Sequence, residues 1–389
     1  MFTPDYLKGL PDKLTDILQG LEDFTIRDIA RRLAKAGEAT STAEWQRIKL
    51  QELGAGTKAI NKKIAETMGV ADAEIERMFR ESSRIAIDNE AEIYEAIGVK
   101  QNTKYVDTLA EALISQTKGE IHNFTKTMGL PMKNGQFVMW TDAYRNALDM
   151  AVVKTVSGTD GYISAIRAAI KPFADDGICT IGYQSGRRFT IEAAARMCVL
   201  QGVKDMASEI TERTAKEIDA DGYEVTAHAD CAPDHINVQG KQYSLKEYEK
   251  LNDNLARPIG TLGCRHMAFA IRLGISTPVY TDGELQKMKA ENEKGITYEG
   301  RHYTLSEAGQ MQRELERAIR GSKRKMIGYD ELGLKDDFTA ASIRLRRQRD
   351  YYTDFSKKAG LLEQGERTHV SGYGRSISGK ALYAEKHRS

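Results

Sequence analysis

Residues 224–281 read EVTAHADCAPDHINVQGKQYSLKEYEKLNDNLARPIGTLGCRHMAFAIRLGISTPVYT, and half of the four cysteines and three of the seven histidines fall inside this stretch. His228, Asp230, Cys231 and His235 lie in its first half, Cys264 and His266 in its second. Tyr223 and Val225 alternate with polar neighbours, which predicts a strand whose period of two puts His228 and Asp230 on one face. Cys264 and His266 share that spacing. Brought together, the two segments would each offer a pair of donors, enough for a four-coordinate metal. Spacing alone leaves a second reading open. No CxxC pair is present, and histidines and cysteines hydrogen-bonded to backbone in a small core would look the same.

Outward from this centre the chain reads as helix. Toward the N-terminus, Leu10, Leu14, Ile17, Leu18 and Leu21, then Ile26, Ile29, Ala30 and Leu33, fall near helical spacing. Further helices are predicted over 43–53, 57–68, 71–96 and 103–127, separated by turn signals at Gly54-Ala55-Gly56 and Gly69. Asn134-Gly135 marks a turn and the best domain boundary, near residue 130. Two helices over 141–156 and 162–174, a strand at ICTIGY and a helix over 190–218 follow. In that last helix Ile191, Ala195, Cys198, Gly202, Met206 and Ile210 form the inward stripe. Ser244 and Thr304 each stand three residues before a glutamate, the spacing of a capping box, so each should start a helix directly after a short strand.

Beyond Tyr303 the helices become basic. Arg313, Arg317, Arg320 and Arg324 recur at spacings of four, three and four, with Met311, Leu315, Ile319 and Met326 roughly opposite. A second helix over 336–359 carries Arg344, Arg346, Arg347 and Arg349. These arginines form either a solvated, salt-bridged face or a contact for nucleic-acid phosphates or an acidic partner, to which the planar guanidinium is suited. No aromatic side chains interleave with them on the same face, so double-stranded DNA would be held without sequence specificity.

The expected fold class is mainly α with a small α+β central domain and long helices at both ends. A helical assembly module would occupy 1–129, the α+β domain 130–300, a basic helical arm 301–365 and a flexible basic tail 366–389. At 389 residues, 41% hydrophobic and 29% charged with net charge +1, the chain has the composition of a soluble helix-rich protein. No apolar run reaches the ~18 residues of a membrane span, and the first residues lack the features of a signal peptide, so synthesis and retention in the cytoplasm are expected. Walker, GxSxG, HExxH and GxGxxG motifs are absent, which argues against the commonest enzyme classes.

Several separated motifs occur in an order that resembles the phage minor capsid protein 2 family, relatives of the MuF-like head morphogenesis proteins. They are His228-x6-His235-x3-Gln239-Gly240-Lys241-x-Tyr243-Ser244, then Gly263-Cys264-Arg265-His266 and Pro278-Val279-Tyr280, with Tyr183-x-Ser185-Gly186-Arg187-Arg188 and Arg196-Met197 upstream. The resemblance covers roughly residues 130–360. It implies a structural virion protein with no enzymatic role, present in the host cytoplasm during assembly. Its partners would be the portal and other capsid or scaffold proteins, and its role head assembly, genome packaging or delivery. It also selects His228, His235, Cys264 and His266 as ligands of a structural zinc, with Cys231 as a substitute for His228 and Asp230 orienting a ligating imidazole. The alternative is a nuclease or an ADP-ribosyltransferase-like phage enzyme with His228 and His235 as acid and base and Arg187 or Arg265 on a phosphate.

Overall fold

Leucines and isoleucines at helical spacing fill the N-terminal third, and helices form there. The computed structural model describes residues 2–36, 42–131, 137–142, 145, 146, 149, 164, 179–181, 188–261 and 264–386. A short helix α1 (Pro4–Gly9) leads into α2 (Asp12–Ala36), α3 (Thr42–Ile97) and α4 (Val106–Lys126). The helix over 141–156 and 162–174, the 134–135 turn and the 185–187 turn lie outside the described residues or largely so. Strands β1 (Gly129–Pro131), β2 (Phe137–Met139), β3 (Cys179–Ile181) and β4 (Arg188–Thr190) form one antiparallel sheet in the order β2-β1-β3-β4.

Thr190 then caps α5 (Ile191–Glu217), its side chain accepting from the Ala193 N–H at 3.2 Å. The inward stripe of α5 is buried as its spacing predicts. Leu14, Leu18, Ile75, Phe79, Ile121, Val199, Val203 and Met206 join α2, α3, α4 and α5 in one core. Gly202 permits the close approach: a Cβ there would stand 2.7 Å from the Phe79 ring and 2.8 Å from the Thr117 hydroxyl. This core crosses the boundary expected near residue 130.

One element differs from its sequence reading in length. The three helices expected between 43 and 96 are a single 56-residue helix that runs through Gly54 and Gly69. Neither glycine is needed for a close contact, since a Cβ at either would meet open space. Each costs about 1 kcal/mol of helix propensity, and the apolar series Ile60, Met68, Ala71, Ile75, Met78 and Phe79, buried against neighbouring helices, outweighs that cost.

The centre is a three-stranded antiparallel sheet with β5 (Gly222–Val225) between β6 (Gln242–Ser244) and β7 (Ala268–Ile271). β6 runs straight into α6 (Leu245–Asn254), where Ser244 and Glu247 make the capping box. After β7 come α7 (Asp282–Lys294), the hairpin β8 (Ile296–Tyr298) and β9 (Arg301–Tyr303), and α8 (Leu305–Glu331), which starts with the Thr304/Glu307 capping box. α9 (Lys335–Ala359) lies against α8.

The arginine stripe of α8 does not form one outward face. Arg320 and Arg324 are buried, because α2 and α5 present carboxylates to that side. Arg324 Nη2 lies 2.6 Å from Glu22 Oε2, an ionic contact without hydrogen-bond alignment, and its Nε donates to Asp23 Oδ1 at 3.3 Å. Arg320 Nη2 donates to Glu192 Oε2 at 2.9 Å. Arg27 of α2 pairs with Glu331 at 3.0 Å and donates to the Gly372 carbonyl at 2.9 Å. The terminal regions are therefore clasped together by charge rather than strung apart. The segment expected as a flexible tail carries α10 (Arg375–Lys386), whose Ile377 and Ala381 are buried with Phe338, Leu345 and Val370. Apolar residues four apart make it an amphipathic helix with a surface to cover.

Arg324→Met should cost about 3–5 kcal/mol in urea unfolding, because it strands Glu22 and Asp23 without their cation, whereas exposed Arg317→Gln should stay within about 0.5 kcal/mol. Burial already raises the Asp23 carboxyl above its ordinary value. A raised carboxyl binds its proton more readily folded than unfolded, so the stability of the variant should recover as pH falls below the folded value of Asp23.

Candidate metal centre

Pairing of β5 with β7 sets the two donor segments side by side. Past the paired strands the Thr226 N–H donates to the Met267 carbonyl at 2.9 Å and the Met267 N–H to the Thr226 hydroxyl at 2.9 Å. The strand expected to carry His228 ends at Val225, so His228 and Asp230 stand in the loop beyond it, and Cys264 and His266 stand in the loop before β7. Gly240, at φ +69°, turns the first loop back into β6. Among the loops Val225, Val238, Ile259 and Cys264 form a small core.

His235, Cys264 and His266 converge, with their donor atoms all within 4.8 Å of one another and all three residues buried. Cys264 Sγ lies 3.4 Å from His235 Nδ1 and 3.3 Å from His266 Nδ1, and the two Nδ1 atoms are 3.3 Å apart. What stands behind each ring fixes its proton. His235 Nε2 donates to the Arg257 carbonyl at 2.6 Å, and His266 Nε2 donates to Gln239 Oε1 at 3.0 Å. Gln239 Oε1 also accepts from the His228 backbone N–H at 3.0 Å, which identifies it as the oxygen. With those protons committed behind, both Nδ1 atoms turn lone pairs toward the sulfur.

His228, the fourth ligand expected from the sequence, stands next to this group but outside it. Its ring stacks on His266 with centroids 4.4 Å apart, its Nδ1 is 2.9 Å from Asp230 Oδ1, and its Nε2 is buried with no hydrogen-bond partner. Asp230 thus holds the Nδ1 proton and leaves Nε2 a bare donor, the arrangement of a carboxylate behind a metal-bound imidazole. Arg265 grips the other oxygen of Asp230 at 2.7 Å. Burial opposes ionisation of Asp230, but the His228 hydrogen bond and the Arg265 charge hold its carboxyl far below the usual range.

Protein groups alone satisfy this set poorly. Burial disfavours the Cys264 thiolate, yet the imidazoles facing the sulfur, with His235 donating once its Nδ1 takes up the proton, outweigh it and bring the thiol down to about 5. A thiolate–imidazolium pair between Cys264 and His235 still leaves the lone pairs of His266 Nδ1 and His228 Nε2 buried and unused, a cost of about 1–3 kcal/mol for each. A divalent cation would be met by His235, Cys264 and His266, the group whose donors the structure brings together; His228 lies beside that group and not within it. With His228 added, three imidazoles and a thiolate form the borderline-soft set that suits zinc. Cys231 does not join the cluster: it is fully buried, donates to the Ala232 carbonyl at 3.2 Å, and burial pushes its thiol up to about 12.

The sequence model of the phage minor capsid protein 2 family matches residues 2–357. The chain belongs to the phage minor capsid protein 2 family. Membership makes it a structural protein of the bacteriophage capsid. No curated protein and no solved structure matches it.

In this minor capsid protein, residues that the motifs did not single out do much of the holding. Buried Lys204 of α5 donates to the Cys264 carbonyl. Asn292 of α7 donates to the Cys231 carbonyl at 2.9 Å and accepts from the Ser306 N–H at 3.2 Å, tying the first loop to α8. Both are polar residues on helices whose neighbours give no sign of a site, so only the tertiary fold reveals them. Among the eight arginines of the basic helices, Arg317, Arg344, Arg346, Arg347 and Arg349 are exposed, Arg313 is half-buried, and Arg320 and Arg324 are interior. Arg187, one of the two arginines offered by the enzyme alternative, lies outside the described residues, as does Gly263, while Arg265, the other, lines a cavity with His228 and His235.

Asp230→Asn should lower zinc affinity about 10- to 100-fold in a chelator competition, since the amide no longer holds the His228 Nδ1 proton as a carboxylate does. Glu249→Gln, at an exposed site on α6, should leave the affinity unchanged.

Proposed function

We propose that this protein is a minor capsid and head-morphogenesis component of a tailed bacteriophage, placed at the portal vertex or procapsid interior, and that it acts by assembly rather than catalysis. The observation that carries the reading is the family match over residues 2–357. In this reading the helices of 1–129 make the contacts with portal, capsid or scaffold subunits. The loops of the 130–300 region are held by a structural zinc on His228, His235, Cys264 and His266. Arg317 and the exposed arginines of α9 face packaged DNA or an acidic subunit, and the C-terminal helices carry them.

Two observations favour assembly over the nuclease-like or ADP-ribosyltransferase-like alternative. His235 is 1% exposed and its Nε2 is committed to the Arg257 carbonyl, so it has no free face for substrate. The cavity beside both histidines holds about 120 Å³, below the roughly 300–1,000 Å³ of sites that enclose a nucleotide-sized ligand. Among the described residues no helix is long and apolar enough to cross a membrane.

Sedimentation of particles from infected or induced cells tests the proposal. The protein should travel with procapsids and with the portal protein of the same genome. Its recovery only in the unassembled fraction, at every stage of the cycle, would contradict it.

A further inference from the structure

The cavity beside the His/Cys cluster has a second wall, and that wall is cationic. Arg265, from the loop before β7, and Arg313 and Gln310, from the first turns of α8, line it together with the histidines and Asp230. Its lining is mainly polar. Arg265 is spoken for by Asp230. Arg313 is not: it is half-buried and makes no hydrogen bond or ion pair among the described residues. Glu316, one turn further along α8, attracts it from beyond ion-pair distance.

More cations crowd the same junction. Arg196 of α5 and Arg367 both donate to the carbonyl of Lys8, and both lean on the single carboxylate of Asp12, Arg367 at 3.9 Å. Arg367 Nε is buried without a partner. Burial lowers the Arg313 guanidinium from its ordinary value, and Arg367, Arg265 and Arg196 lower it further. Lys8 is lowered in the same way, by burial and then by Arg367, Arg313 and Arg265. Like charges gathered in a partly dry place repel strongly, and the protein supplies Asp12, Asp230 and Glu316 against five cations. A guanidinium with unused donors beside a polar cavity is what a bound anion would require, since charge-assisted hydrogen bonds to an oxyanion turn the repulsion into attraction.

We propose that the cavity between Arg265, Gln310 and Arg313 binds a tetrahedral oxyanion of phosphate size and charge. About 120 Å³ is room for one phosphate group. The same chemistry comes from free inorganic phosphate or from a phosphodiester of packaged nucleic acid reaching the cavity mouth, where Gln310 is exposed. His228, His235, Cys264 and His266 line the same cavity, so a metal and the oxyanion would be neighbours in it; Arg313 and Gln310 donate no metal ligand and therefore test the oxyanion separately.

Calorimetric titration of the full chain with inorganic phosphate, in chloride buffer, tests the proposal. Phosphate should bind with one site per chain. Arg313→Gln should weaken binding at least about tenfold, as expected for loss of a charged hydrogen-bond donor. Gln310→Glu places a carboxylate at the mouth and should weaken it likewise; its exposed position keeps this variant folded if Arg313→Gln is not. Lys287→Gln, which removes an exposed cation of α7 outside the cavity lining, should bind as the parent does. A short random duplex separates the sources: competition with phosphate, with the same loss in both variants, assigns the site to nucleic-acid backbone, and indifference of the duplex assigns it to free oxyanion. Absence of phosphate binding to the parent, or equal binding by the parent and the folded variants, overturns the proposal.

Discussion

Two imidazole Nδ1 atoms that face each other at 3.3 Å, with the Nε2 proton of each ring tied to an oxygen behind it, are the constraint around which the centre of this protein is built. Nearly every unusual feature of the region serves that arrangement. Gln239 accepts from both the His266 ring and the His228 backbone, Lys204 holds the Cys264 carbonyl, and Asn292 fastens the first loop to the start of α8. The hydrophobic core beneath these loops is small, which is the circumstance in which a metal contributes most to folding. Strand β5 supplies the register. Pairing with β6 on one side and β7 on the other delivers the ends of both loops to one place.

Around this centre the long helices are joined by apolar packing on one side and by buried charge on the other. The α2–α8 contact through Glu22, Asp23 and Arg324 lies far from the loops, yet it fixes where α8 begins relative to them. Residues at that beginning line the cavity beside the histidines. Terminal helices, central loops and cationic junction thus form one mechanical unit. A capsid component that must keep its shape against neighbouring subunits benefits from such coupling, because displacement of one helix is resisted by ion pairs that would otherwise be left buried and unpaired.

The sequence made some of this legible. The His/Cys donors were visible as residues, and helix starts at Ser244 and Thr304 were visible because a capping box is a local device that tertiary structure seldom overrides. The inward stripe of α5 was visible for the same reason, its period being a property of the helix alone. Three things were not. Gly54 and Gly69 read as breaks, but burial of the surrounding apolar residues decided in favour of one helix. Arg320 and Arg324 read as surface, since the carboxylates that draw them inward are more than a hundred residues away in the chain. The strand expected to present His228 stops three residues short of it, because hydrogen bonding to β6 and β7 ends where the loops diverge.

X-ray absorption at the zinc edge, on full-length protein purified without added metal or chelator, examines the central claim most directly. The account predicts about one zinc per chain in a four-coordinate shell, with one sulfur at about 2.3 Å and three nitrogens at about 2.0–2.1 Å. Less than about a tenth of an equivalent of zinc, with a melting temperature unmoved by chelator, would contradict it.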